Sequence, residues 1–341
     1  MITLLRGGWV VAWEGGRHRV IERGDVAFTG DRLLYVGPHY PGKADLTLDR
    51  PEWLICPGLI NLHAHIGVSP IAPFVDTPRA EFFAPSEAYV ARAPLFLEPS
   101  LTPEEQALSA EYGLVQMLRS GTTTVVDAAG SGPVWWLGNP PHDEEQLVEI
   151  VGRVGARAYL SLSYRSARIY GRPDGSRAYL EDEALGMAGL QAALTFASRY
   201  RGAHNGRVEV LLCPHAADNC SPALLRATHA AARDANVLVQ IHTAQRTGEV
   251  SFFRDHYGTT PVGYLHSVGF LGPEIILGHC IYTSGHPAVG GDPDADLNLI
   301  AAAGSPVAHS PLPFAYHGTA LHSFARYVDH GITVGIGCDL W

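Results

Sequence analysis

LICPGLINLHAH, residues 54–65, is the stretch on which the fold of this chain turns. An apolar, β-rich run over residues 54–60 leads into His63-Ala64-His65. Side chains alternate along an extended chain, so the two imidazoles of an H-x-H point to the same side. A lone H-x-H is a weak signal, and its meaning depends on what surrounds it.

Outward from this stretch, short β-rich runs recur at 122–127, 157–164, 208–213, 237–242, 275–279, 305–308 and 333–337. Helical segments separate them. Thr102-Pro103-Glu104-Glu105 is a capping box with proline at the first helical position. Leu108, Tyr112, Val115 and Leu118 then recur at helical spacing. Ser221-Pro222 opens another helix, with Leu224, Ala227, Ala231 and Ala235 on one face. Segments 142–154, 178–201, 293–303 and 321–330 fill further helical positions. Eight strands alternating with helices predict an α/β fold of the (β/α)8, TIM-like barrel type. Residues 1–55 have a different texture, short apolar runs broken by glycine turns, and predict a small antiparallel β unit. The division expected is therefore 1–55 and 56–341. The chain stops two residues after Asp339, so the barrel is expected to lack its last helix and the β unit its completion. That reads as a chain naturally longer, or one completed by another segment. The long aromatic loop 66–101 has the length of a functional lid.

Bulk properties narrow the function classes. The chain has 341 residues, 46% of them hydrophobic, enough for one large core and a small accessory domain. Its formal charge of −10, without a basic cluster, argues against nucleic acid or an anionic membrane as partner. No apolar run reaches ~18 residues, so no membrane span is expected. The N-terminus has no signal-peptide pattern, which points to the cytoplasm. Five scattered cysteines without a C-x-x-C suggest neither a disulfide framework nor a cysteine-rich zinc site.

Barrel enzymes place catalytic groups at the C-terminal ends of their strands. Strand one here ends in His63 and His65, strand four in His215, strand five in His242 and strand six in His279; His309 lies at the end of strand seven and Asp339 at the end of strand eight. An H-x-H on strand one, with His242 on strand five and Asp339 on strand eight, is a specific signal. Three neutral imidazoles and a carboxylate suit one divalent ion, zinc first and Fe²⁺ or Mn²⁺ next. Such an ion lowers the pKa of water towards about 7.

PGLINLHAH (57–65), SGTTTVVD (120–127), CPHAADNCS (213–221), the His242 strand, LGHC (277–280) and GCD (337–339) together resemble the amidohydrolase superfamily. The resemblance is to the branch of chlorotriazine hydrolases and cytosine, guanine and S-adenosylhomocysteine deaminases, and it covers nearly the whole chain in order. It implies a distorted barrel beside a small N-terminal β-sandwich, a hydrolase acting on a small molecule, and often a homodimer. It implies His63, His65, His242 and Asp339 as metal ligands, His279 as a catalytic imidazole or one that supports the ligands from behind, and His215 as a substrate contact. Binuclear members carry a carboxylated lysine or a glutamate on strand four. Lys43, in the β unit, is the only lysine here, so one metal is expected.

One departure redirects the chemistry. The branch has His-x-x-Glu at strand five, and here the run is His242-Thr243-Ala244-Gln245. An amide hydrogen-bonds but does not relay a proton near neutral pH. Hydrolysis of an amide-, carbamate- or urea-like C–N bond, or displacement of a leaving group, in a small aromatic or heterocyclic molecule is therefore expected, with Asp339 as base and His279 polarising the carbonyl. The alternatives are a heterocycle deaminase with a replaced proton shuttle, and a non-catalytic member used for binding. Gln245, His309, Trp135 and Phe82 are further candidate contacts, the last two among aromatics (Trp136, Phe83, Tyr89, Tyr164, Tyr170) that could wall a pocket.

Overall fold

A computed structural model describes residues 1–66, 102–128, 144–171, 177–316, 318–319 and 321–339. The chain separates into two compact units, Met1–Leu59 and Ile60–Trp341.

The N-terminal unit is one sheet of five strands: β1 (Ile2–Glu14), β2 (Arg17–Glu22), β3 (Asp25–Thr29), β4 (Arg32–Gly37) and β5 (Leu46–Ile55). The order is β2-β1-β3-β4, all antiparallel, with β5 parallel to β1. Gly15 and Gly16 turn the first hairpin with φ of +58° and +79°, the left-handed pair that a two-residue loop needs to follow strand twist. Val10, Ile21 and Val26 make its small core. Asp25, 1% exposed, receives the Arg6 guanidinium at 2.9 Å and the Tyr40 N–H at 2.9 Å, so its charge is compensated despite burial.

The second unit is the barrel. Its strands are β6 (Leu59–Ala64), β7 (Thr122–Asp127), β8 (Arg157–Leu160) with the short β9 (Ser163–Tyr164), then, after a β10–β11 hairpin (Ala167–Gly171 and Arg177–Glu181), β12 (Val208–Pro214), β13 (Leu238–Thr243), β14 (Ile275–His279), β15 (Val307–His309) and β16 (Val334–Ile336). They run β6-β7-β8-β12-β13-β14-β15-β16 around the sheet. Two backbone bonds bring the last strand back to the first: Asp339 N–H to the His63 carbonyl at 2.8 Å, and His65 N–H to the Asp339 carbonyl at 2.9 Å. The (β/α)8 architecture expected from the strand count is thus present. Among the described residues no helix is long and apolar enough to cross a membrane.

Local details differ from expectation. The run taken as strand one, 54–60, is split: residues 54–55 end β5, and the barrel strand begins at Leu59. Pro57 has no N–H to give a ladder, so the sheet breaks there. The helix expected from 178 begins at Glu183, because Arg177–Glu181 pairs antiparallel with Ala167–Gly171. Helix Pro103–Arg119 has its capping box, Thr102 and Glu105 bonding reciprocally at 3.2 and 2.7 Å. It faces inward with Ala110, Leu114 and Met117, while Leu108, Tyr112 and Val115 are exposed. Helix Pro222–Ala235 is capped by Ser221 and buries Leu224, Leu225, Thr228 and Ala232, with Ala227, Ala231 and Ala235 only partly covered.

Gly337 explains how the last strand comes so near the first. A Cβ there would lie 2.6 Å from the His63 Cβ, 2.7 Å from its carbonyl oxygen and 2.9 Å from its nitrogen. Gly337→Ala should therefore destabilise the protein by about 1–3 kcal/mol in urea unfolding and lower its metal content. Wild-type stability and metal content in that variant would show that the closure has slack.

Candidate metal centre

Strand alternation builds the centre. His63 on β6 and His65 just past its end lie on one face, 0% and 4% exposed. On β13, Gln240 and His242 share a face two residues apart, both buried. β14 delivers the fully buried His279, and Asp339 follows β16. One carboxylate oxygen of Asp339 lies 3.2 Å from His63 Nε2 and 3.1 Å from His65 Nε2. The His63 ring lies 4.9 Å from that of His242 and 4.6 Å from that of His279. Two ligand sets have all donor atoms within 4.8 Å of one another: His63, His242 and His279, and His63, His65 and Asp339. His63 belongs to both.

The strand ends carry backbone conformations that side chains seldom adopt. Ala244, His279, Cys280 and Asp339 have φ of +49°, +70°, +48° and +61°. Such residues are held only where the surrounding structure imposes them, and they gather at functional sites.

Proton positions can be derived. The Leu62 carbonyl can only accept, and it takes a hydrogen bond from Gln240 Nε2 at 2.8 Å. The amide is thereby oriented, and its Oε1 faces His63 Nδ1 at 3.0 Å. His63 must donate from Nδ1, which leaves a lone pair on Nε2, the atom facing Asp339. His242 likewise donates from Nδ1 to the His215 carbonyl, leaving its Nε2 as acceptor. Neither ring nitrogen of His279 has a hydrogen-bond partner among the described residues, although the ring is wholly buried. Burial pushes the His63, His242 and His279 imidazoles below their usual pKa, so they are neutral. Burial opposes the charge of Asp339 too, but the hydrogen bond from His65 Nε2, 3.1 Å away, works against that, and the carboxyl lies well below the usual carboxylate range. Buried lone pairs converging on a carboxylate that His65 also contacts leave room for a cation, and imidazole nitrogen with one carboxylate is the donor set of a zinc-like ion. The residues fit the metal that the sequence implies.

The remaining candidates lie around this cluster. His215 follows β12, its ring 5.1 Å from that of His242. His309 ends β15, 5% exposed, and its buried Nδ1 has no hydrogen-bond partner among the described residues. Gln245 is half-buried beyond β13, and its backbone N–H is held by Glu249 at 2.9 Å. Tyr164 does not wall a pocket: it is fully buried, with its hydroxyl 3.0 Å from that of Thr228. Trp135, Trp136, Phe82, Phe83 and Tyr89 lie outside the described residues.

Four residues with a part in the site escaped sequence reasoning. Gln240 orients His63, and its place two residues before His242 was the available signal. Asn219 bonds His215 at 2.7 Å. Glu249 accepts from the backbone N–H groups of Ala244 and Gln245 at 2.8 and 2.9 Å. Asp127, at the end of β7, accepts from the Ile66 N–H at 3.1 Å.

The amidohydrolase family model matches residues 54–340. The chain is 28% identical over 338 residues to 5-methylthioadenosine/S-adenosylhomocysteine deaminase of Pyrococcus abyssi, covering 99% of this chain and 69% of that protein. Atrazine chlorohydrolase TrzN from Arthrobacter aurescens TC1, solved with zinc, superposes with a TM-score of 0.76 at 22% identity, over 99% of this chain and 72% of that one. Guanine deaminase from C. acetobutylicum, solved with bound guanine, gives 0.72 at 16% identity, over 99% and 74%. The two superpositions establish the shared fold. The chain spans about seven tenths of the length of these relatives.

If Gln240 sets the proton on His63, Gln240→Leu should weaken zinc binding to the stripped protein by about 10–100-fold in a chelator competition, with the circular dichroism spectrum unchanged. Gln240→Glu keeps the acceptor and should recover most of the affinity. Equal affinity in all three proteins would contradict the assignment.

Proposed function

The chain belongs to the amidohydrolase family, and from that premise we propose that it is a mononuclear metal-dependent hydrolase of an amide-, carbamate- or urea-like C–N bond in a small aromatic or heterocyclic molecule. One observation carries the choice of reaction: Gln245 occupies the position where the resembling branch has a proton-shuttling glutamate. The neighbouring carboxylate is no substitute. Both oxygens of Glu249 take backbone N–H groups, those of Ala244 and Gln245. Protonating a ring nitrogen, which ring deamination needs, is thus left without its usual carrier.

His63, His65, His242 and Asp339 would hold the ion, most readily zinc. Bound there, a divalent ion supplies Lewis acidity that brings the pKa of water towards about 7. The protein's own groups do the rest. Asp339, ionised at neutral pH, takes the proton of the attacking water as its oxygen bonds to the carbonyl carbon. His279, neutral and buried, donates to the carbonyl oxygen as negative charge develops on it. The C–N bond then breaks, and the proton on Asp339 passes to the leaving nitrogen. Glu249 keeps Gln245 at the mouth, where its amide is suited to a polar group of the substrate.

A second reading has one observation in its favour. The Pyrococcus abyssi relative, aligned over 99% of this chain, is named a deaminase. On that reading another group carries the proton, and ammonia is the product.

Elemental analysis of the purified protein should find about one equivalent of metal. Chelation should abolish hydrolysis, and zinc should restore it. In a screen of amides, carbamates, ureas and aminated heterocycles, amine release should exceed ammonia release. Asp339→Asn should lower kcat by about 10²–10⁴. Gln245→Glu should add ammonia release from aminated rings. A protein free of metal after growth with zinc would sink the hydrolase reading, and fast wild-type ammonia release would favour the deaminase.

A further inference from the structure

The ring of His215 is anchored along one edge. Its backbone N–H bonds the Tyr164 carbonyl at 2.8 Å, and its own carbonyl accepts from the His242 backbone and ring. Between Val210 and Cys220 every other residue is buried, and His215 is half-buried. The anchored edge is Nδ1, which lies 2.7 Å from Asn219 Nδ2.

The identity of that contact follows from groups that can act in only one way. The Ala216 N–H can only donate, and it lies 3.0 Å from Asn219 Oδ1. With its oxygen committed there, the Asn219 amide presents NH₂ to His215. An NH₂ group offers no lone pair, so Nδ1 must accept. The single proton of the ring then sits on Nε2. Asn219 is itself 2% exposed and ends a one-turn helix, Ala217–Asn219, with its carbonyl receiving the Ser166 N–H at 3.1 Å. The side chain is held on both sides and cannot turn over without leaving a buried N–H unpaired, which disfavours the turned form by roughly tenfold in population.

We infer that Asn219 is a positioning residue that makes His215 a fixed hydrogen-bond donor through Nε2–H, so that the substrate atom facing the end of β12 is an acceptor, a carbonyl oxygen or an unprotonated ring nitrogen, and not an amino group. The existence of a substrate rests on the hydrolase reading; the donor assignment does not. The contrast with the cluster is chemical. His63 and His242 turn lone pairs inward, whereas His215, beside them, carries its proton on Nε2. A heterocycle entering the mouth is sorted by which edge carries its acceptor, and an amino-bearing edge is directed away from His215.

The test is long-range ¹H–¹⁵N NMR of protein labelled at histidine, stripped and zinc-loaded, with the His215 signals identified by their loss in His215→Phe. The wild type should give the shifts of a protonated Nε2 and an unprotonated Nδ1. Asn219→Asp has the same size but accepts with both oxygens, so it should move the proton to Nδ1. As probes, pyrimidin-2-one should shift the wild-type Nε2 signal more than 2-aminopyrimidine does, and Asn219→Asp should reverse that order. For any substrate found in the screen, Asn219→Asp should raise KM about tenfold with a smaller change in kcat. A wild-type Nδ1–H tautomer, or a tautomer unmoved by Asn219→Asp, overturns the inference. Should that variant not fold, Asn219→Ala must show mixed tautomers, and a single Nε2–H form there equally overturns it. An Nε2–H signature with no turnover of any compound would count against the hydrolase reading and leave the role of Asn219 standing.

Discussion

Two main-chain hydrogen bonds, between Asp339 and the backbone of His63 and His65, join the last barrel strand to the first. They are made by His63, His65 and Asp339, three of the four residues whose side chains form the ligand cluster, so closing the barrel and assembling the site are one event. A slip of one residue in this pairing would turn both histidines to the opposite face together. The neighbourhood is built to prevent it. Gly337 admits the strand to van der Waals distance, and the Asn61 side chain accepts the Cys338 N–H at 3.1 Å one residue before the ligand. Left-handed backbone at His279, Cys280 and Asp339 then turns the chain sharply once the ligands have been delivered.

Inside that frame, the chemistry depends on where protons sit, and each is placed by a group with no alternative. A carbonyl, read through Gln240, fixes His63; a carbonyl fixes His242 directly; a backbone N–H, read through Asn219, fixes His215. Buried networks of this kind are worth keeping only when every member is satisfied. Cluster atoms that stay short of partners among the described residues, both ring nitrogens of His279 and Nε2 of His63, mark where an ion belongs.

How far this was legible in the sequence varies by element. The strand series and the histidines at strand ends could be read, because both follow from short-range alternation. The start of the first barrel strand could not, because the apolar run continues from β5 across the break and only Pro57 marks it. Helix Pro103–Arg119 carries apolar residues on more than one face, and spacing alone does not say that Ala110, Leu114 and Met117 are the ones that turn inward. Arg177–Glu181 has residues that suit a helix, but its pairing partner overrode them. Gln240 was within reach of the period-two rule. Asn219 and Glu249 were not, since each bonds back to a strand end through a turn that spacing alone does not specify.

The backbone at residues 244 and 245 is held by a side chain that belongs to neither of them. With the Glu249 carboxylate clamping both N–H groups, the loop keeps its course whatever side chain residue 245 carries. The position is in effect a socket. Exchange of an amide for an acid there alters proton chemistry at the mouth without asking the barrel to refold, and glutamine and glutamate codons differ by a single base. On the function proposed here, a lineage built on this frame is one mutational step from exchanging hydrolysis of a C–N bond outside a ring for removal of an amino group from one.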